Sequence, residues 1–109
     1  MKKENYLDKI PSISADVEWQ NNYGEVVLMM ENKGTFNRLL QKVFKKPKIS
    51  HIHLDKIGSF VWTKIDGKST INEIATKVKS EFGENSYPLY PRLIKYFNLL
   101  NEYKFVFLK

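Results

Sequence analysis

The hydrophobic period of this chain changes at Leu54 from a mainly strand-like pattern to a helical one, and this change restricts the fold more than any other feature. Before it, residues 14–20 alternate apolar and polar side chains, and residues 26–30 form a second apolar run after turn residues at 21–24. After it, apolar residues recur at helical spacing. Strands that precede helices, instead of alternating with them, are typical of the α+β class and argue against a parallel α/β sheet.

Three strands and one helix are predicted in the first half of the chain. The alternation places Trp19 with other apolar residues on one face of the first strand, and we expect it to be a core residue. The second strand returns in a hairpin, and residues 49–54 are predicted to be the third. Between the second and third strands, apolar spacing predicts a short helical insert over 35–48, which Pro47 interrupts. Residues 1–12 are predicted to form a flexible N-terminal arm.

Three helices are predicted after the strands. Asp55 is placed to cap the first helix, which Asp66-Gly67 ends, and Thr70 with Glu73 forms a capping-box pattern at the start of the second. The third covers about residues 88–101. The inward positions share helical spacing: Ile57, Phe60, Val61 and Ile65, then Ile71, Ile74, Ala75, Val78 and Phe82, then Leu89, Leu93, Ile94, Phe97 and Leu100. Short helices with tight connections indicate a helix-turn-helix core, and the apolar run that follows is predicted to be a strand or a packed tail.

The composition is that of one globular domain over residues 1–109. A hydrophobic content of 42%, with 14% aromatic residues, supplies a core and excludes global disorder. No apolar run approaches the roughly 20 residues needed to span a bilayer, and no apolar segment of a secretory signal follows the first lysines. The absence of cysteine excludes disulfides, thiolate metal sites and cysteine nucleophiles. We therefore expect a cytoplasmic protein.

The net charge of +6 is confined to one segment of the chain. Between Asn32 and Leu54 there is no acidic residue, and the basic residues there are Lys33, Arg38, Lys42, Lys45, Lys46 and Lys48. These cations flank the apolar stripe of the insert, which allows three interpretations. The stripe packs on the sheet, which we prefer; or the segment meets an acidic partner protein; or, third in order, it lies on an anionic membrane surface. The partner or membrane surface would consist of Arg38, Lys42, Lys45, Lys46 and Lys48.

Residues 51–75 carry an ordered set of motifs that resembles the PqqD family. The motifs are an aliphatic residue with Asp at 54–55, an aliphatic-Trp pair at 61–62, an aliphatic-Asp-Gly at 65–67 and Thr-aliphatic-x-Glu-Ile at 70–74. The resemblance covers most of residues 14–106. It implies an α+β fold in which an N-terminal three-stranded antiparallel sheet packs on a three-helix winged-helix, or helix-turn-helix, bundle. The insert departs from this pattern, because it is longer than the plain hairpin connection of the family.

The same resemblance implies a function. PqqD-like domains are recognition elements for ribosomally made, post-translationally modified peptides (RiPPs). They bind the leader peptide as an added strand and present the precursor to a modifying enzyme, of which a radical SAM enzyme is one kind. Carried onto this chain, the third strand is the docking strand and the third helix supplies the groove wall. The expected peptide-binding residues are Ile49, Ser50, His51, Ile52, His53, Leu54, Arg92, Lys95 and Tyr96.

An edge strand suits this role on physical grounds alone. Its unpaired N–H and C=O groups can bond to an extended peptide, and side-chain pockets beside it then set specificity. The same unpaired groups permit pairing between two copies of the chain, so a homodimer stays an open alternative.

Other functions have less support in the residues. His51 and His53 share one strand face, a spacing that suits two imidazoles on one metal, but no third ligand is near in sequence, so we expect neither a metal nor a cofactor. No nucleophile elbow, phosphate loop or carboxylate pair is present, so catalysis is not expected. A winged-helix DNA-binding regulator is the alternative, because the helix-turn-helix order and a pI of about 9.5 are typical of that class. Few side chains that could read DNA bases lie on the outer face of the second helix, and this disfavours the DNA-binding alternative.

Overall fold

The computed structural model describes residues 5–31 and 49–109, and within them it contains three helices and two antiparallel sheets. This confirms the predicted α+β class. The strands are β1 (Pro11–Ile13), β2 (Glu18–Asn22), β3 (Glu25–Glu31), β4 (Ile49–His53) and β5 (Val106–Leu108). The helices are α1 (Lys56–Lys64), α2 (Ile71–Phe82) and α3 (Leu89–Glu102), with short 3-10 turns at Tyr6–Asp8 and Gly83–Ser86. None of the helices in the described ranges has the length and apolarity to cross a membrane.

The strands β2, β3 and β4 form one sheet in this order, with β3 in the centre. Tyr23 and Gly24 join β2 to β3 in a tight turn, and both have positive φ angles, 54° and 93°. The side chain of Asn21 accepts a hydrogen bond from the Gly24 amide at 3.0 Å, which holds the turn closed. The register then places Leu28 of β3 between Trp19 of β2 and Ile52 of β4.

The N-terminal residues are part of the packed fold. β1 pairs antiparallel with β5, so the apolar run at the end of the chain is a strand. The Lys9 carbonyl accepts a hydrogen bond from the Ile71 amide at 3.0 Å and thereby satisfies a free donor at the start of α2. The predicted flexible arm is therefore wrong for residues 5–12. The physical reason is that β5 needs a partner strand for its own backbone groups, and β1 supplies it.

The first predicted strand begins later than its apolar pattern indicates. Residues 14–17 instead form a turn, in which Ser14 accepts hydrogen bonds from the amides of Asp16 and Val17 at 3.2 and 3.3 Å. Every residue of β2 is exposed, and Trp19 is 40% exposed, so the prediction that Trp19 is a core residue is wrong. β2 is one of the two outer strands of its sheet, whereas α1 packs against the central strand β3.

The core lies between β3 and the three helices. α1 and α2 start where the sequence predicts. The Asp55 carboxylate caps α1 by accepting a hydrogen bond from the Gly58 amide at 2.7 Å, and Thr70 forms a capping box with Glu73 at the start of α2. The predicted inward positions on the helices are buried or half-buried. The largest fully buried apolar side chains are Trp62, Phe97, Leu28, Ile71, Ile74, Leu93, Val26, Val61, Val78, Val106 and Pro11.

The predicted helical insert over 35–48 lies outside the described residues. With it lie the residues of the predicted partner or membrane surface, namely Arg38, Lys42, Lys45, Lys46 and Lys48. Both the helical character of this segment and its role stay predictions.

Candidate functional site

The candidate site begins with the outer edge of β4. In the sheet order β4 is an end strand, and within residues 5–31 and 49–109 no other strand pairs with its far side. The Leu54 amide donates to the Val26 carbonyl at 2.9 Å, so Leu54 and Val26 form a hydrogen-bonded pair. Because such pairs alternate along an antiparallel ladder, the backbone N–H and C=O groups of His51 and His53 point away from β3. Together with Ile49, which has the same place in the alternation, these two residues carry the outward backbone groups of the edge.

The imidazoles of His51 and His53 are exposed on the sheet face opposite to the helices. His53 lies 3.5 Å from the carboxylate of Glu25, measured from Nδ1 to Oε2, and both side chains are more than half exposed. An exposed pair of this kind contributes little to stability. In the described part of the chain no group of three His, Asp or Glu side chains is arranged to hold a metal ion.

The end of β4 meets α3 through one charged pair. Arg92 of α3 lies 3.9 Å from Asp55, between Nη2 and Oδ2, while the other oxygen of Asp55 accepts the capping hydrogen bond of α1. Arg92 also donates to the Asn85 carbonyl through Nη1 at 3.4 Å. Lys95, one helical turn further, is exposed. The pair therefore joins Asp55, the last residue before α1, to α3.

Tyr96 lies deeper than its predicted position on the accessible side of α3. Its hydroxyl donates to the Gly58 carbonyl at 2.8 Å, and its ring packs edge-on against Phe97 at 5.1 Å between centroids. Burial, with a smaller contribution from the negative charge of Asp55, raises the pKa of the Tyr96 phenol far above its ordinary value. The phenol therefore stays neutral and keeps donating. This bond ties α3 to α1, so the Tyr96 hydroxyl already has a partner within the fold.

A small hollow of about 90 Å³ lies between α1 and α3, next to this contact. Its mouth carries the charged pair of Asp55 and Arg92. Its lining is mainly apolar, with Ile57, Gly58, Val61, Leu89, Leu93 and Tyr96. A volume of this size accommodates part of one side chain, and it lies where the chain leaves β4.

The close approach of α1 to α3 depends on Gly58. A Cβ atom at this position would lie 2.8 Å from Oδ1 of Asp55 and 3.2 Å from Cε1 of Tyr96. We expect Gly58→Ala to lower the free energy of unfolding by about 1 kcal/mol, because the strain of overpacking exceeds the gain of about 1 kcal/mol in helix propensity. Urea unfolding would measure it, with Ser80→Ala on the exposed face of α2 as the control. A variant that is as stable as that control would contradict the tight contact.

The structure thus brings some predicted site residues together and not others. His53 ends β4, Leu54 precedes the Asp55 that pairs with Arg92, and Lys95 lies further along α3. The side chains of Ile52 and Leu54, by contrast, are partly buried against the core. For Ile49 and Ser50 only the backbone position in β4 is described. Sequence reasoning missed the hollow and Gly58, since a glycine inside a helix has no periodic signal that reveals a contact with a distant helix.

The alternative DNA-reading surface would be the outer face of α2. Asn72, Lys77 and Glu81 are exposed there, as the sequence predicts. The ammonium group of Lys79, however, donates to the Tyr90 hydroxyl at 2.6 Å and lies 4.6 Å from the centre of that ring. One of the few cations of this face therefore already has an intramolecular partner.

Comparison with known proteins identifies the family. A family model described as coenzyme PQQ synthesis protein D (PqqD) matches residues 25–106, which include the edge strand β4, its neighbour β3 and all three described helices. No curated protein and no solved structure matches the chain significantly. The matched range covers most of the chain and contains the motifs at 51–75. The chain therefore belongs to the PqqD family.

Proposed function

We propose that this chain is a non-catalytic recognition domain that binds the leader peptide of a ribosomal precursor by strand addition and presents it to a modifying enzyme. PqqD-family proteins are accessory binding proteins of PQQ and RiPP biosynthesis rather than catalysts. The precursor peptide and a modifying enzyme, with a radical SAM enzyme as one candidate, are the partners in this proposal. The winged-helix arrangement of sheet and bundle belongs to the same proposal.

The observation that carries the proposal is the position of β4 as an end strand. A peptide that aligns with β4 would meet the outward N–H and C=O groups of His51 and His53 and gain main-chain hydrogen bonds. Each such bond contributes about 0.5–1.5 kcal/mol net, so a short paired segment already gives useful affinity. Main-chain bonds do not select a sequence, and specificity would come from side chains at the end of β4.

Charge and shape at that end favour particular peptides. Lys95 is exposed, and Arg92 has a loose, solvent-exposed pair with Asp55 beside its hydrogen bond to the Asn85 carbonyl. An acidic side chain of the peptide would compete for these cations and speed the encounter. An apolar side chain next to it would fit the hollow between α1 and α3. We therefore infer a leader with an acidic residue and an apolar residue close together in sequence.

The backbone contribution can be tested with two substitutions at one position. A phage-displayed library of random peptides would be selected on the full chain, and the most enriched peptide synthesised with a fluorescein label. We expect His51→Pro to weaken binding roughly tenfold, because proline removes the outward donor and blocks the edge. The control His51→Thr keeps the N–H and removes only the imidazole, so its affinity should stay close to that of the unchanged chain. Fluorescence anisotropy measures both.

Amide chemical shifts locate the bound peptide. Titration of the isotope-labelled chain should shift residues 49–54 and 89–98. Equal binding by both His51 variants would sink the strand-addition proposal, as would a selection that enriches no peptide. Shifts confined to 71–82 on titration with duplex DNA would favour the DNA-binding alternative. A change of sedimentation with concentration that His51→Pro abolishes would show that the edge pairs two copies of the chain instead.

A further inference from the structure

A second and larger hollow lies where α2 leads into α3. It has a volume of about 920 Å³, and four of its nine lining residues carry rings, namely Tyr87, Pro88, Tyr90 and Pro91. Tyr87 is 81% exposed, and both prolines are exposed as well. An exposed aromatic next to two exposed prolines contributes little to the core, so stability does not explain this surface. We refer to it as the tyrosine–proline hollow.

The tyrosine–proline hollow adjoins the smaller hollow between α1 and α3. Leu89 lines both this hollow and the smaller one between α1 and α3. Arg92 connects them as well, because one of its nitrogens faces Asp55 at the end of β4 and another donates to Asn85, two residues before Tyr87. Arg92 and Leu89 thus lie between the end of β4 and the tyrosine–proline hollow, so a peptide that leaves β4 past Asp55 and follows Arg92 would reach this hollow.

We propose that the peptide held at β4 continues past Arg92 and places a proline or aromatic side chain in the tyrosine–proline hollow. This inference rests on the proposed function and adds a second anchor to it. Flat apolar rings bind pyrrolidine and aromatic rings well, and aromatic-lined grooves are the usual receptors for proline-containing extended segments. One face of Tyr90 is covered by the Lys79 ammonium, so Tyr87 and the two prolines supply the open surface.

The two anchors divide the peptide into two parts. A proline lacks the N–H that pairing with an edge strand needs, so it cannot serve at a bonding position opposite β4. Beyond Asp55 no pairing is required, and the rigid, extended conformation of a proline-containing segment lowers the entropy lost on binding. A proline or aromatic residue is therefore expected outside the strand-forming part of the peptide and close to it in sequence.

The test uses the full chain and the same labelled library peptide. We expect Tyr87→Ser to weaken its binding about tenfold, since loss of an aromatic anchor removes a central contact. Pro91→Glu, which puts a charge into the hollow at a first-turn position that tolerates acidic residues, should do the same. The matched controls are Tyr103→Ser, another exposed tyrosine, and Asn72→Glu, an exposed first-turn position of α2. Both controls should bind like the unchanged chain.

The outcomes separate this inference from the function on which it rests. If His51→Pro weakens binding while Tyr87→Ser and Pro91→Glu do not, the strand addition stands and the second anchor is overturned. The inference is supported if Tyr87→Ser and Pro91→Glu weaken binding of the full peptide, and if a peptide shortened to its strand-forming part binds these two variants as well as it binds the unchanged chain. A peptide whose affinity depends on the hollow but not on His51 overturns both proposals, and so does the absence of any enriched peptide.

Discussion

Replacing Trp62 with alanine is expected to lower the free energy of unfolding by about 3–5 kcal/mol. Trp62 has no exposed surface and lies on α1, which packs against β3, so its removal leaves a large cavity in the middle of the core. A domain of this size is stable by about 5–15 kcal/mol, so the variant should unfold at much lower urea concentration. Urea unfolding followed by far-UV circular dichroism measures the change without depending on tryptophan fluorescence.

Trp19 provides the control for this prediction. Its ring meets that of Trp62 edge-on at 5.9 Å between centroids, but it is 40% exposed on the outer strand β2. Trp19→Ala should therefore cost only about 1–2 kcal/mol. The double variant should show a coupling of about 0.5–1.5 kcal/mol, which is the contribution of the ring contact itself. If Trp62→Ala costs no more than Trp19→Ala, the assignment of Trp62 to the centre of the core is wrong.

The second large effect is expected at Ser59, a buried residue of α1. Its hydroxyl accepts from the Val26 amide at 2.9 Å and donates to the Leu54 carbonyl at 3.1 Å. The Ser59 hydroxyl thus lies between the Val26 amide and the Leu54 carbonyl, two groups that could otherwise bond to each other directly. Ser59→Ala leaves both backbone groups without this partner, and we expect a loss of about 2–3 kcal/mol in the free energy of unfolding.

Thr63 is the matched control, because its hydroxyl lies on the same helix and donates to the Phe60 carbonyl at 2.7 Å on an exposed face. Water replaces that bond, so Thr63→Ala should change stability by less than about 0.5 kcal/mol. Hydrogen exchange of the Val26 and Leu54 amides gives a local readout, and both should exchange faster in Ser59→Ala. Equal stability of the Ser59 and Thr63 variants would mean that the bridge does not hold the end of β4.

Ser59 also illustrates what could not be predicted from the sequence. It reads as a polar residue inside an apolar helical pattern, and nothing near it in sequence indicates its partners. Val26, its hydrogen-bond donor, is 33 positions away. Asp55 is different, because a capping residue bonds to an amide three positions on, and its role could be predicted from neighbours alone.

Some features of the candidate site could likewise be predicted from the sequence, and others could not. The strand that contains His51 and His53, and its place in the family motif, could be predicted from local alternation and motif order. The free edge of this strand was expected from the family resemblance, whereas the pairing of Arg92 with Asp55 depends on how α3 packs against the start of α1. No sequence pattern predicted the tyrosine–proline hollow, because its rings lie where α2 leads into α3 and their spacing there follows no helical or strand period.

By itself, the sequence determined the class of the fold, the starts of α1 and α2, and the family. Periodicity, capping and motif order are local, because each depends on residues a few positions apart. The tertiary structure alone decided that β1 pairs with β5, that Trp62 is enclosed while Trp19 lies at the rim, and that the backbone of His51 and His53 faces outward. Each of these depends on a partner far away in the chain, and which partner a segment meets is settled only when the whole core packs.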